Sequence, residues 1–409
     1  MKRIIIATAV LLAGFVVFGA ILLFYLPSSK STTREVLGPY ISWLDDHSAE
    51  IILCTKHNQE VDLVLKSATP GGAMVGRSHW THAGIHQFTA DGLQADTAYV
   101  YEISGGGADG EYVIRTAPTA RKDFTFIAYG DSQNDTSSHR HHALTMNFGR
   151  HRPDFVISTG DLLQGVSKKG SDIFGEDWVV NVFDTVPQEF FATIPFFRTI
   201  GNHDIESDIK ESVFFNVFPK LKDYMYEFVW GDAQFLCLYL PESVLGYDEK
   251  QRTWLREKVK SRPDARWRIA YFHVPPWAGG KHGQNPLAYG GREKLLADLV
   301  EAKVDLVFNG HEHAYERTRP LIPDGAAGNP VVFVVTGLAG VTAYKIDPQP
   351  YLSKIVTGSD HFCVVDVAEN TLRLTAYDSK DQSIDQYEIR KDAVGKNSFA
   401  DAALPVKRP

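Results

Sequence analysis

Cysteine is scarce: Cys54, Cys237 and Cys363 are the only three in 409 residues, with no CxxC and no close pair. Cys237 (FLCLYL) and Cys363 (HFCVVDV) lie in apolar, strand-like runs and read as buried free thiols, although spacing leaves a bridge between them open. An excess of positive charge is also missing. The formal net charge is -8, which argues against nucleic acid as the main partner, because binding a phosphate backbone needs a basic face. There is no GxSxG nucleophile elbow, no P-loop and no dinucleotide-binding glycine fingerprint. Internal repeats and low-complexity segments are absent too.

What remains is an ordinary globular composition, 44% hydrophobic and 22% charged, in a chain long enough for two or three domains. One uncharged run stands apart, the 23 residues from Ile4 to Leu26 behind Lys2 and Arg3. It is long enough to span a bilayer as a helix. The apolar run ends in Phe24-Tyr25-Leu26 with no A-x-A site directly before Pro27, so residues 1–30 read as an uncleaved anchor, with a cleaved signal as the rival. The N-terminal positive charges place residues 31 onward outside the cytoplasm, periplasmic or extracellular, or secreted if the segment is cleaved.

From Gly38 to about Pro118 short alternating segments (YISWL, EIILCT, EVDLVLKS, AYVYEIS, EYVIRT) are separated by turn residues, the pattern of a β-sandwich. The stretch GLQADTAYVYEI resembles a corner of fibronectin type III-like domains, with Tyr99 as its tyrosine. His82 and His86 are expected at the surface or the sandwich edge. From Asp123 strands alternate with helical segments, as in α/β domains. The spacing predicts packing helices over 248–262 and 291–303, and a helix starting near His139, His141 and His142. A buried strand is expected within 329–340, a meander over 361–391 and a free tail over 393–409.

One pattern recurs five times: a buried strand, then a polar residue, usually through glycine. FTFIAY runs into Gly130-Asp131, and DFVIST into Gly160-Asp161. PFFRTI runs into Gly201-Asn202-His203-Asp204, WRIAYF into His273, and VDLVF into Asn309-Gly310-His311-Glu312-His313. Any one of these could be a turn former or a satisfied core histidine. Five at the carboxyl ends of α/β strands form a site, because that edge is where such sheets bind ligands. The inventory of carboxylates, an amide and histidines suits borderline divalent metals or iron. Six or more ligands are too many for one tetrahedral zinc and suit two metals about 3.5–4 Å apart.

In this order, GD…GD…GNHD…H…GHEH resembles the calcineurin-like metallophosphoesterases, and GHEHAYERTRP resembles their purple acid phosphatase branch. The resemblance covers about residues 37–391. It implies an α/β (α+β) two-sheet sandwich flanked by helices over 122–392, preceded by an immunoglobulin-like, all-β sandwich over 37–118; the N-terminal helix before them is read from the apolar run alone. It implies two divalent metal ions (Fe, Zn or Mn), with Asp161 bridging, Asp131 and His313 on the first metal, and Asn202, His273 and His311 on the second. His203 would be proton donor or transition-state stabiliser, and Asp204 would orient it. The implied activity is hydrolysis of small phosphoric esters, with phosphomonoesters as the expected substrates as in acid phosphatases, by a metal-activated hydroxide. A phosphodiesterase or nucleotide pyrophosphohydrolase is the alternative. A cell-surface binding protein with a degenerate phosphoesterase domain is the alternative of another class.

Two positions depart from the branch. The second block reads GDLLQ, with Gln164 where the metal-binding tyrosine belongs. The first reads GDSQ, with Gln133 where the wider superfamily often has histidine. Gln133 is expected to fill the first metal's shell. Tyr129, two residues before Asp131, is expected to point into the core.

Overall fold

The computed structural model describes residues 35–69, 71–133, 138–163, 187–204, 215, 217–243, 246–283 and 291–401. The apolar run 4–26, Gln164 and residues 402–409 lie outside these. Among the described residues no helix is long and apolar enough to cross a membrane.

Alternation at period two builds the N-terminal sandwich from β1 (Val36–Leu44), β2 (Ser48–Thr55), β3 (Val61–Ser67), β4 (Met74–Trp80), β5 (Gly84–Asp91), β6 (Ala98–Gly105) and β7 (Gly110–Arg115). Its sheets are ordered β1-β2-β5 and β4-β3-β6-β7. On β6 the alternate residues Tyr99, Tyr101 and Ile103 are buried, because successive side chains leave a strand on opposite faces.

The α/β region holds two seven-stranded sheets. The first contains β8 (Phe124–Tyr129), β9 (Phe155–Ser158) and β10 (Phe196–Arg198). The second contains β11 (Tyr226–Trp230), β12 (Ala233–Cys237), β13 (Trp267–Tyr271), β14 (Leu306–Asn309), β15 (Tyr315–Thr318), β16 (Val332–Thr336) and β17 (Leu352–Val356). The first is completed by β18 (His361–Val367), β19 (Thr371–Asp378), β20 (Ser383–Lys391) and β21 (Asn397–Asp401). The orders are β10-β9-β8-β18-β19-β20-β21 and β11-β12-β13-β14-β16-β15-β17. Strands β8, β9 and β10 run parallel, as do β12, β13, β14 and β16.

Aromatic side chains fill the core between these sheets. Phe126 stacks on Phe155 at 5.3 Å and meets Phe235 edge-on at 5.2 Å. Truncating such a residue to alanine costs about 3–5 kcal/mol. Helices α1 (Ser138–Thr145) and α2 (Gln188–Thr193) precede α3 (Glu249–Ser261) and α4 (Arg292–Glu301). Asp248 caps α3 by accepting from the Gln251 N–H at 2.9 Å. Leu255 of α3 and Leu295, Leu296 and Leu299 of α4 are buried with Leu236, Ala270 and Phe333 of the second sheet. These are the helix faces that the periodicity assigns to packing.

The sandwich has a core of its own around Ile51, Leu63, Phe88 and Tyr101, and its other face is joined to the α/β region, where Leu37, Tyr40, Ile52 and Cys54 share a cluster with Ile127, Tyr129 and Phe196. The Tyr101 hydroxyl donates to the Ala192 carbonyl at 2.6 Å, and β1 packs on the edge strand β10. His86 lies on the edge strand β5 as one of the two expectations had it, but it is buried rather than at the surface, with Nε2 2.7 Å from the Thr55 hydroxyl. Residues 397–401 are no free tail: they form β21 and pair with β20, which shields that strand's edge. All three cysteines are free and buried, Cys237 in the second sheet and Cys363 in the first.

Candidate metal centre

The parallel strands β8, β9 and β10 of one sheet and β13 and β14 of the other bring their five polar endings to one edge. The backbone turns sharply there. Asp131, Asp161 and His311 all have positive φ, at 55°, 53° and 67°. Non-glycine residues seldom adopt this conformation, and such strain gathers at functional sites. The glycines beside them have a further role. A Cβ on Gly201 would collide with the Asp161 carboxylate, and one on Gly310 with that of Asp131.

One half of the site is tight. His273 Nδ1 donates to the Thr159 carbonyl at 2.8 Å, which leaves Nε2 facing Asp161 Oδ2 at 3.2 Å and Asn202 Oδ1 at 3.1 Å. His311 Nδ1 lies 3.0 Å from Asn202 Oδ1 and 3.2 Å from His273 Nε2. Asp161, His273 and His311 together place one ligand atom each within 4.8 Å of one another. The other half is looser. His313 Nδ1 donates to the Thr342 carbonyl at 2.8 Å. Its Nε2 lies 3.4 Å from Gln133 Nε2 and 3.8 Å from Asp131 Oδ1. Gln133 Oε1 is buried with no hydrogen-bond partner among the described residues. The halves meet where the His311 N–H donates to both Asp131 oxygens, at 2.9 and 3.0 Å, and the Gln133 N–H to the Asp161 carbonyl at 3.0 Å.

This donor set fits a cation. Lone pairs of Nε2 atoms and carboxylate oxygens converge with too few protons to bridge them, and a buried amide oxygen lacks a donor. The titration behaviour has the same cause. Burial opposes charge on His273, but the Asp161 charge and hydrogen bond outweigh it and raise the ring to about 9. Burial, then the His273 charge, hold His311 well below the usual histidine range. Burial lowers His313 to about 4 and raises Asp131 well above the carboxylate range. Two buried carboxylates and three close imidazoles cannot all take their favoured ionisation without positive charge among them.

Asp204 is fully buried, and its carboxylate accepts four backbone N–H groups: Asp161 at 2.9 Å, Leu162 at 3.0 Å, Leu163 at 3.2 Å and Gly201 at 2.9 Å. These bonds shape the turn that presents Asp161. The His203 N–H donates to Asp161 Oδ1 at 2.8 Å. Tyr129 points into the core and stacks on Phe196 at 5.9 Å. His141 is also buried, stacked on Tyr129 at 5.6 Å. Two residues at the site escaped sequence reasoning. The His282 ring is 4.2 Å from His311, and Tyr344 stacks on His313 at 4.0 Å. The only sequence signals were a histidine shortly after the Gly279-Gly280 pair and a tyrosine beyond TGLAG, neither with a diagnostic spacing.

Residues 124–315 match the family described as calcineurin-like phosphoesterase, a span that contains all seven candidate ligands. Purple acid phosphatase 18 of Arabidopsis thaliana is 27% identical over 351 residues, covering 80% of this chain and 74% of that protein. Phosphoenolpyruvate phosphatase of Allium cepa is 26% identical over 309 residues, covering 70% of this chain but only 60% of that protein. The purple acid phosphatase PPD1 from yellow lupin seeds shares the fold, with a TM-score of 0.71 at 15% identity over 88% of this chain and 75% of that one. Residues 124–315 are therefore a calcineurin-like phosphoesterase domain, and the chain is a hydrolase with purple acid phosphatases among its relatives.

Proposed function

We propose that the protein hydrolyses small phosphoric monoesters with two divalent metal ions. The carrying observation is the division of one continuous donor cluster into halves, Asp131, Gln133 and His313 beside Asp161, Asn202, His273 and His311. Asp161 lies at the junction and is the natural shared ligand. Bound there, two divalent ions would act as Lewis acids and lower the pKa of water to about 7. The chain's own residues do the rest. Thr159 and Thr342 fix the tautomers of His273 and His313 through their carbonyls, so that each Nε2 faces the site. Asp204 holds the Asp161 turn. His203 would donate a proton to the ester oxygen as its bond to phosphorus breaks, while water gives up a proton to solvent and its oxygen forms the new bond to phosphorus. The filled donor set weighs against a degenerate domain kept only for binding.

Two further readings accompany this one. Residues 36–115 are fibronectin type III-like, supported by the three-plus-four strand arrangement and by Tyr99, whose hydroxyl accepts the Gln94 N–H at 2.8 Å as in a tyrosine corner. The run 4–26 anchors the protein with its catalytic domain outside the cytoplasm. Protease shaving of intact cells tests this, and protection of the catalytic domain would contradict it. The activity itself is tested with the metal-loaded protein on p-nitrophenyl phosphate and bis(p-nitrophenyl) phosphate. Faster turnover of the monoester is expected, and preference for the diester would favour the phosphodiesterase alternative.

A further inference from the structure

The segment 278–283 follows His273 and runs beside the site. Its backbone is held firmly. Glu316 Oε2 accepts the Gly279 N–H at 2.7 Å, and Glu312 Oε1 accepts the His282 and Gly283 N–H groups at 2.7 and 2.8 Å. The Gly279 carbonyl accepts the Asp347 N–H at 2.9 Å, and the Ala278 carbonyl accepts the Tyr351 hydroxyl at 2.9 Å. Both glutamates are fully buried. A Cβ on Gly280 would strike the Glu312 carboxylate, so the segment lies directly over it.

This fixed backbone carries Lys281, which is exposed. Its ammonium lies 4.2 Å from the centre of the Tyr344 ring. That ring is stacked on His313 at 4.0 Å and 15°, so the ammonium is at most the sum of these two distances from the imidazole. Next along the chain, His282 lies against His311. Lys281 therefore stands beside the metal-ligand histidines, steadied by a cation–π contact. No carboxylate pairs with it among the described residues. A surface lysine normally ranges freely in water, whereas this one is placed at the rim of an anion site.

We propose that Lys281 is a specificity-determining residue that binds a second negative charge on the leaving group. The preferred substrates are then phosphomonoesters whose leaving group carries a carboxylate or a further phosphate. This rests on the monoesterase reading above. Tyr344 is the positioning residue that keeps the ammonium near the site. A neutral leaving group would gain nothing from this contact, so the effect belongs in KM for charged substrates.

The test compares metal-loaded wild type, Lys281→Met and Lys281→Arg on p-nitrophenyl phosphate, phosphoenolpyruvate and fructose 1,6-bisphosphate. Lys281→Met is expected to raise KM about tenfold for the substrates with a second anion, as for loss of one charged hydrogen bond, and to change p-nitrophenyl phosphate by less than about twofold. Lys281→Arg should restore most of the loss. An effect on phosphoenolpyruvate alone identifies a carboxylate as the second anion, and one on fructose 1,6-bisphosphate alone a phosphate. Equal losses on all three substrates, or none, would overturn the proposal. If wild type hydrolyses nothing, the monoesterase reading fails, and calorimetric titration still decides the role of Lys281. The preference for methylenediphosphonate over methylphosphonate should fall in Lys281→Met, and an unchanged preference would refute it.

Discussion

The two halves of the metal centre are built to different tolerances. Around Asp161, Asn202, His273 and His311 the ligand atoms lie 3.0–3.2 Å apart. Around Asp131, Gln133 and His313 the side-chain separations are 3.4 and 3.8 Å, and a buried amide oxygen waits without a donor. The tight half draws on three strand ends, β9, β10 and β13, with His311 from the turn after β14. The looser half depends on the neutral side-chain amide of Gln133. A neutral amide oxygen holds a divalent ion less firmly than an anion does. One metal is therefore expected to be retained and the other to be more labile, and substitutions on each side test this.

The largest effect should come at the junction. Asp161→Asn removes the charge facing His273 and should abolish measurable turnover, as followed by phosphate release. His203→Ala should keep its metal yet lose about 10²–10⁴-fold in kcat, the usual worth of one acid–base group. An empty site in that variant would show that His203 is a ligand instead. Gln133→Ala should leave saturated kcat nearly intact and raise the metal concentration needed for half-maximal activity. The iron-loaded protein should be colourless, since Gln164 offers no phenolate. An intense visible band lost in Tyr344→Phe would contradict this by placing Tyr344 on the first metal.

The smallest effect concerns the segment beside the site. Burial raises Glu316 from its ordinary 4.5 to about 8. The folded chain therefore holds this proton more tightly than the unfolded chain does. Its stabilising contribution is fully present below about pH 4.5 and is lost as pH rises toward 8. Thermal melts of Glu316→Gln should show a flatter pH dependence than wild type across that window. Parallel curves would mean that Glu316 is already ionised in the folded state.

The sequence carried the strand-end rhythm, because each ligand follows its strand within a few residues and glycine marks the turn. The sandwich was legible for the same local reason, through period-two alternation in segments such as AYVYEIS. What escaped depends on contacts between distant segments. His282 and Tyr344 reach the ligand histidines from loops with no periodicity. Asp204 reads as a neighbour of His203, and only the fold reveals four backbone donors on its carboxylate. His86 sits on an alternating strand, but its burial depends on Thr55 across the sheet. Strand β21 is short and polar, and pairing with β20 rather than propensity defines it. The shared core of Tyr40 and Cys54 with Tyr129 joins regions that turn-rich spacing had separated.

Elemental analysis of the purified protein, wild type beside Asp161→Asn, tests the central claim most directly. Two equivalents of divalent metal are expected in wild type after saturation, with one released first on dialysis against chelator, and Asp161→Asn should lose metal and phosphatase activity together. Full hydrolysis by metal-free protein, or two metals retained in Asp161→Asn, would contradict a dinuclear centre joined at Asp161.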